Sequence, residues 1–327
     1  SNIPPCRRNY GPISFELYFS GKNVDEATLD RLFRFCSVSA PEATIGSLRL
    51  HVSVGSEGIL GETPSVWPFP IIDAQSFHRT VWSPTSGLAL TSDEQNGVWT
   101  LMDFSTGTSV FWINDLRAIQ DWEHAAPLRH QFHWFAHTHQ AVVAHAAAFS
   151  LNGQAILVAG PGGSGKSTLS AAAAEAGLTV LAEDLCWVDL AGNIPAARRI
   201  YDSVKVTGDS QCRFPAVARF VSNHESEFLG KTIVRLPAAD NSAAIPIRAM
   251  FCMSGAFEKT PRIFPCRKTT AFSLLAPSTV FLMRTAPSET AARLKSLVDR
   301  LPVFHAIPGA DPVITAAELA SFCEGLS

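Results

Sequence analysis

The chain has no Cys-x-x-Cys pair, although seven cysteines are scattered among its 327 residues, at positions 6, 36, 186, 212, 252, 266 and 323. An odd count without zinc-like spacing argues against a disulfide framework or a zinc ribbon and predicts reduced thiols in a cytoplasmic protein. No apolar stretch approaches the ~18 residues that a membrane helix requires, so no membrane partner is expected. No run of Lys or Arg occurs and the net charge is −3, which argues against a broad nucleic-acid footprint. The N-terminus lacks a charged-then-apolar pattern, so export is not expected. Internal repeats and low-complexity linkers are also missing. What remains is 46% hydrophobic and 17% charged, the balance of a globular protein with a sizeable core. At ~150 residues per domain the length predicts two domains.

The first 124 residues read as a β-rich N-terminal domain. Ile13 to Phe19 and Leu48 to Val54 alternate like strands, and Leu29, Leu32 and Phe33 fall at helical spacing between them. Val98 to Phe104 and Thr108 to Ile113 flank a Gly-containing turn and resemble a hairpin. No residue here forms a chemical motif, so the region reads as scaffold, substrate recognition or oligomer contact. From Asp115 to Gln140 the pattern is helical, interrupted at Pro127. His130, His133 and His137 share one helical face, a geometry able to bind a metal. No carboxylate or cysteine completes a ligand set nearby, so the reading taken is a helix docked on the core.

The second domain, 125–327, has a different texture. Ala144 to Leu151 is small and apolar, Asn152-Gly153 forms a hairpin-like turn, and Gln154 to Ala159 reads as a buried strand. A glycine-rich loop follows, then an alanine-rich helix from Lys166 to Ala176 with Gly177 as its C-cap. Thr179 to Ala182 is another strand, ending in Glu183-Asp184. Further on, Ile245 to Gly255 reads as a strand, and Glu289 to Arg300 and Ala316 to Cys323 as helices. Strand, loop, helix, strand is nucleotide-binding architecture, and the fold class expected is α/β with a P-loop core.

Gly160-Pro161-Gly162-Gly163-Ser164-Gly165-Lys166-Ser167-Thr168 fits G-x-x-x-x-G-K-[ST] at every fixed position. The glycines let backbone N–H groups turn inward around an anion. The helix beginning at Lys166 points its positive end at the same spot. Lys166 supplies a mobile cation for the β- and γ-phosphates, and the Ser167 hydroxyl can ligate Mg²⁺. A glycine-rich turn before an ordinary helix is the plainer alternative. The strand before and the helix after are the context that the motif requires. Phosphoryl transfer also needs carboxylates, for Mg²⁺ and for the nucleophile. Glu183 and Asp184 end the next strand, where side chains emerge on the ligand side of an open sheet. One would hold Mg²⁺ and the other accept a hydroxyl proton, unless the pair is a solvated turn. His145, one hairpin before the loop in an alanine-rich stretch, is either a catalytic imidazole or a satisfied core histidine.

His145, the seven residues to Gly153, the P-loop, the helix and the acidic pair together resemble the bacterial HPr kinase/phosphorylase catalytic domain. The likeness covers about residues 140–190. It implies a mixed-sheet fold similar to phosphoenolpyruvate carboxykinase and a kinase moving the γ-phosphoryl of ATP to a serine hydroxyl. By position it gives Glu183 the role of base, assisted by His145, and sets Asp184 with Ser167 on Mg²⁺; it also implies a homo-oligomer. The family usually has Asp where this chain has Glu183, so base and metal roles can be exchanged. The family's later Leu-Glu-Ile-Arg-Gly-x-Gly signature is replaced by Arg198-Arg199-Ile200-Tyr201-Asp202-Ser203-Val204-Lys205. That segment is more similar to a divergent branch, some of whose members phosphorylate the terminal serine of a lasso-peptide precursor. In that reading Asp202 takes the missing metal-side role and Arg198 meets phosphate, with surface ion pairing as the alternative for both. Gly230-Lys231-Thr232, with Arg235 nearby, reads as a further phosphate-facing loop. The partner expected is a protein or peptide with an acceptor serine. A nucleotide sensor without transfer and a small-molecule kinase are the rival readings. No motif distinguishes ATP from GTP.

Overall fold

The computed structural model describes residues 4–21, 26–55, 78–83, 87–93, 97–119, 121–218, 227–228, 230–236, 243–283 and 285–326. The chain is a mixed α/β protein with open mixed sheets and, among the described residues, nine α-helices. It divides into two compact units, Ser1–Phe135 with Arg284–Ala286, and Ala136–Met283 with Pro287–Ser327. Among the described residues no helix is long and apolar enough to cross a membrane.

The first unit is built on seven strands, β1 (Cys6–Tyr10), β2 (Ile13–Gly21), β3 (Gly46–Val54), β4 (His78–Ser83), β5 (Leu88–Asp93), β6 (Val98–Asp103) and β7 (Thr108–Ile113). Their order across the sheet is β1-β2-β3-β7-β6-β5-β4. The alternation read in the sequence is the pleat itself: Ile13, Phe15 and Leu17 of β2 and Leu48, Leu50 and Val52 of β3 are all buried. β2, β3 and β7 run parallel, and β6 and β7 form the antiparallel hairpin, with Val98 opposite Ile113. Helix α1 (Glu26–Leu32) follows β2.

The helical stretch expected over Asp115 to Gln140 is two helices, α2 (Asp121–Ala125) and α3 (Arg129–Thr138). Leu128 between them adopts φ of +58°, which no α-helix accommodates. The histidines of α3 do not converge. His133 Nε2 lies 3.4 Å from Thr285 O, and His137 Nε2 lies 3.1 Å from Thr290 Oγ1. His130 packs its ring against Trp134.

The second unit has three layers. Its large sheet runs β11 (Thr179–Ala182), β9 (Ala147–Leu151), β10 (Gln154–Ala159), β17 (Ile245–Cys252), β13 (Ala196–Arg198), β12 (Leu185–Asp189), β8 (Ala141–His145). β18 (Arg262–Pro265) and β19 (Val303–Ile307) extend it beside β17. β10, β17 and β19 are parallel, so each needs a crossover, and helices supply it. On one face α4 (Lys166–Glu175) and α9 (Pro312–Glu324) bury Leu169, Ala172 and Leu319 against Phe149, Ile156 and Phe251. On the other, α7 (Lys268–Met283) and α8 (Pro287–Arg300) bury Leu275, Leu294 and Leu297 against Ala148, Leu157 and Met250. Ala144 of β8 and Ala148 of β9 belong to the same buried cluster as these helices. A small sheet, β14 (Ser203–Val206), β16 (Lys231–Arg235) and β15 (Glu227–Phe228), adds Val204, Val206 and Val234 to the α4 side. The short helices α5 (Gly208–Arg213) and α6 (Pro215–Ala218) follow β14.

Candidate active site

The site forms where three chain segments leave the large sheet. The first is the glycine-rich loop between β10 and α4. Gly163 and Gly165 take φ of +79° and +95°, so the loop turns back on itself before the helix starts. Gly160 is fixed by close approach instead: a Cβ there would lie 2.6 Å from both Met253 O and Ser164 Oγ. Gly162 faces open space. Helix α4 has no side-chain cap, and its first loop-to-helix bond runs from Leu169 N to Gly165 O. The N–H groups of Lys166, Ser167 and Thr168 therefore precede any intrahelical acceptor and carry the positive end of the helix dipole. Ser164 Oγ is buried and has no hydrogen-bond partner among the described residues. A buried hydroxyl beside an open glycine cradle fits an anion bound by the loop.

Lys166 folds back over this loop. Its Nζ donates to Gly160 O at 2.7 Å and Pro161 O at 3.2 Å, and the side chain is almost fully buried. Burial lowers its pKa; Asp184 and Glu183 oppose that shift, while Lys205 and Lys231 reinforce it. The ammonium is thus held by two neutral carbonyls, acceptors that a phosphate would outcompete.

The second segment joins β11 to β12 and holds Glu183 and Asp184. The third is the end of β8. The register pairs Leu185 with His145, which places Asp184 beside the imidazole, and His145 Nε2 lies 2.7 Å from Asp184 Oδ1. The backbone N–H of His145 donates to Thr279 Oγ1 of α7 at 2.9 Å, which fixes the strand end. Glu183 has a different partner and accepts the Ser167 hydroxyl on Oε1. The two acids also differ in access. Glu183 is buried, whereas Asp184 keeps 34% of its side chain exposed. Burial raises the Glu183 pKa and Asp184 raises it further, against Lys205, Ser167 and Lys231. For Asp184 burial also pushes upward, but Lys205 and His145 outweigh it and hold the carboxyl well below the usual carboxylate range.

The residue that joins these parts is Lys205 of β14. Its Nζ donates to Asp184 Oδ2 at 2.7 Å and lies 3.5 Å from Glu183 Oε2. Burial lowers its pKa, and the two carboxylates more than reverse that shift. In the sequence Lys205 is only the last residue of the segment that replaces the family signature, with no role of its own; β14, paired with β16 and packed on the α4 side, brings it to the acids. Thr279 was equally invisible, since it lies 134 residues from its partner.

Ser167, Glu183, Asp184, His145 and Lys166 are therefore gathered in one place. The hydrogen bonds join Ser167 to Glu183 and His145 to Asp184, the opposite pairing from the one that the family resemblance implies. Arg198 is engaged elsewhere: its Nε donates to Asp189 Oδ2 at 2.6 Å, and Trp187 Nε1 donates to the other oxygen at 2.7 Å. Asp202 is buried between Arg199 Nε at 3.2 Å and Arg235 Nη2 at 3.5 Å. Lys231 opens β16 and contributes positive potential at Glu183 and Lys166. Among the described residues no group of three or more His, Cys, Asp or Glu is arranged to hold a metal by itself. The hydroxyl and carboxylate oxygens of Ser167, Glu183 and Asp184 are hard donors of the kind Mg²⁺ takes one or two at a time, with phosphates and water completing the shell. In that sense the residues fit the ion. No protein-family model matches this chain, and no curated protein matches it.

Proposed function

We propose that this chain is an Mg·ATP-dependent kinase, resembling the HPr kinase group, that transfers the γ-phosphoryl to a serine hydroxyl of a protein or peptide. One observation carries the reading. The loop lysine, the loop serine, an acidic pair and a histidine from three separate segments meet at the uncapped N-terminus of α4. Each is a part that phosphoryl transfer uses; Lys205 links the Ser167–Glu183 pair to the Asp184–His145 pair, while Lys166 is held by the loop carbonyls of Gly160 and Pro161. All seven cysteines are free thiols, which fits a reducing compartment.

In this reading the backbone of Gly162 to Ser167 cradles the phosphate chain. Lys166 leaves the carbonyls of Gly160 and Pro161 for the β- and γ-oxygens. Ser167 and Glu183 would hold Mg²⁺, which would supply positive charge against the phosphate chain. Asp184 is the acid with exposed surface, so it is the one that an incoming serine can reach, and His145 fixes its orientation through Oδ1. The serine oxygen attacks the γ-phosphorus in line, the bond to the β–γ bridging oxygen breaks, and ADP departs. The hydroxyl proton passes to Asp184. A carboxylate held at low pKa is a weak base, which suffices because the loose transition state makes positioning matter more than proton abstraction. Base and metal roles are thus exchanged between Glu183 and Asp184 relative to the family assignment.

The test is transfer of label from [γ-³²P]ATP to a pool of serine-ended peptides and HPr-like proteins, with Lys166→Ala as blank. Asp184→Asn should lower turnover by about 10²-fold or more while nucleotide affinity stays near wild type. Glu183→Gln should instead raise the Mg²⁺ concentration needed for half-maximal rate. Label on an acceptor that is lost in the blank supports the kinase. Tight ATP binding with no labelled product would move the reading to a nucleotide sensor.

A further inference from the structure

All four carboxylate oxygens of the acidic pair are engaged by protein donors. Glu183 Oε1 accepts from Ser167, and Asp184 Oδ1 faces His145 Nε2. The remaining two, Glu183 Oε2 and Asp184 Oδ2, flank a single ammonium, that of Lys205. Only 13% of the Lys205 side chain is exposed, so this ammonium is shielded from water on most sides. It arrives from the small sheet, on a strand whose register with β16 is fixed by four consecutive pairs, from Ser203 opposite Arg235 to Val206 opposite Thr232. The ammonium therefore occupies the space between the two carboxylates, where a dication shared by them would bind.

We infer that Lys205 is a positioning residue that keeps the acidic pair closed to divalent metal in the nucleotide-free chain, so that metal enters only together with a phosphate chain. The inference rests on the kinase reading for the second half of that statement and on geometry alone for the first. A bare dication competing for Glu183 and Asp184 must displace the ammonium from both carboxylates and break two ion pairs of a largely buried cation, which is unfavourable. A dication that arrives on a triphosphate brings several negative charges with it. Lys205 can then pair with phosphate oxygen, as Lys166 does, and the site stays balanced. Lys231 adds positive potential at Glu183 and raises the barrier to metal without phosphate. The arrangement would spare the enzyme from binding free Mg²⁺ in a non-productive position.

The test uses Mn²⁺ as the probe, with free Mn²⁺ read by its electron paramagnetic resonance signal, on the full chain with and without a non-hydrolysable ATP analogue. Wild type should bind Mn²⁺ weakly alone and at least about tenfold more tightly with the analogue. Lys205→Met should gain at least about tenfold in Mn²⁺ affinity without any nucleotide, because the competing charge is gone. Lys205→Arg, which keeps the charge, should behave like wild type in the nucleotide-free state. Circular dichroism checks that each variant is folded. If Lys205→Met does not fold, wild type and Lys205→Arg still decide. Mn²⁺ binding by nucleotide-free wild type as tight as with the analogue overturns the inference, and so does a folded Lys205→Met with no gain. Failure of the analogue to bind at all refutes the kinase reading instead, and leaves the nucleotide-free comparison of wild type with Lys205→Met to decide the first half.

Discussion

Adding one methyl group at Gly160 tests how tightly the glycine-rich loop is held. In Gly160→Ala the new Cβ would lie 2.6 Å from Met253 O and 2.6 Å from Ser164 Oγ, while ordinary contact begins at 3.4 Å. Ser164 can rotate away, but Met253 O belongs to the backbone. The N–H of that residue donates to Ala159 O at 2.8 Å, at the end of the parallel pairing of β10 with β17. Relief of the clash therefore means prising apart the strand end that carries the loop. Overpacking costs about 1–3 kcal/mol, and weakening one buried hydrogen bond adds about 1 kcal/mol, for about 2–4 kcal/mol in all. For a unit of this size each kcal/mol moves the melting temperature by about 2–4 °C, so a drop of about 5–15 °C is expected. Gly162→Ala is the internal control. Its Cβ meets nothing within 4 Å, and it should cost no more than about 0.5 kcal/mol. Scanning fluorimetry gives both shifts, and a fluorescent ATP analogue reports whether the displaced loop still binds phosphate. Equal shifts for the two variants, or a larger one for Gly162→Ala, would refute the claim that contact with the Met253 carbonyl sets the loop position.

Two further outcomes follow from the same site. Thr279→Val keeps shape but removes the acceptor for the His145 N–H, inside a fully buried environment. It should cost about 1–3 kcal/mol in urea unfolding, and an unchanged midpoint would mean that the strand end is held by something else. Asp184 is held below its ordinary value of 3.8, so its contribution to stability is complete above that pH and is lost as pH falls through the lower folded-state value. Lys205→Met removes one of the charges that hold it there, so the acid-unfolding midpoint followed by circular dichroism should move to higher pH. A midpoint that stays put or moves to lower pH would contradict the assignment of Lys205 as the counter-ion.

Local pattern carried much of the fold into the sequence. Alternation at Ile13, Phe15 and Leu17, the Asn152-Gly153 turn and the helical spacing over 289–300 each depend on neighbours a few residues away, and each reappears as β2, the β9–β10 hairpin and α8. Where one pattern spans two pairing environments, the reading blurred. Ala144 to Leu151 reads as one apolar segment, yet the chain breaks at Ala146. β8 then pairs with β12, while β9 pairs with β10 and β11. Alanine composition cannot show that break, because both strands are buried and neither alternates. The helix α7 contains Pro277 and carries no polar stripe, so periodicity did not reveal it, and Thr279 was missed with it.

The sequence alone determined the parts whose chemistry is local. These are a glycine loop able to turn its N–H groups inward, a lysine and a serine fixed at its exit by helix geometry, and two adjacent acids at a strand end. Tertiary structure decided which acid faces which partner. The register of β8 with β12 sets His145 beside Asp184, and the placement of α4 sets Ser167 against Glu183. β14, from another sheet, delivers Lys205 between the two acids. Adjacent carboxylates are chemically near-equivalent in a string of letters. They become different groups only when folding buries one, leaves the other open, and divides their charge between a hydroxyl, an imidazole and an ammonium drawn from distant parts of the chain.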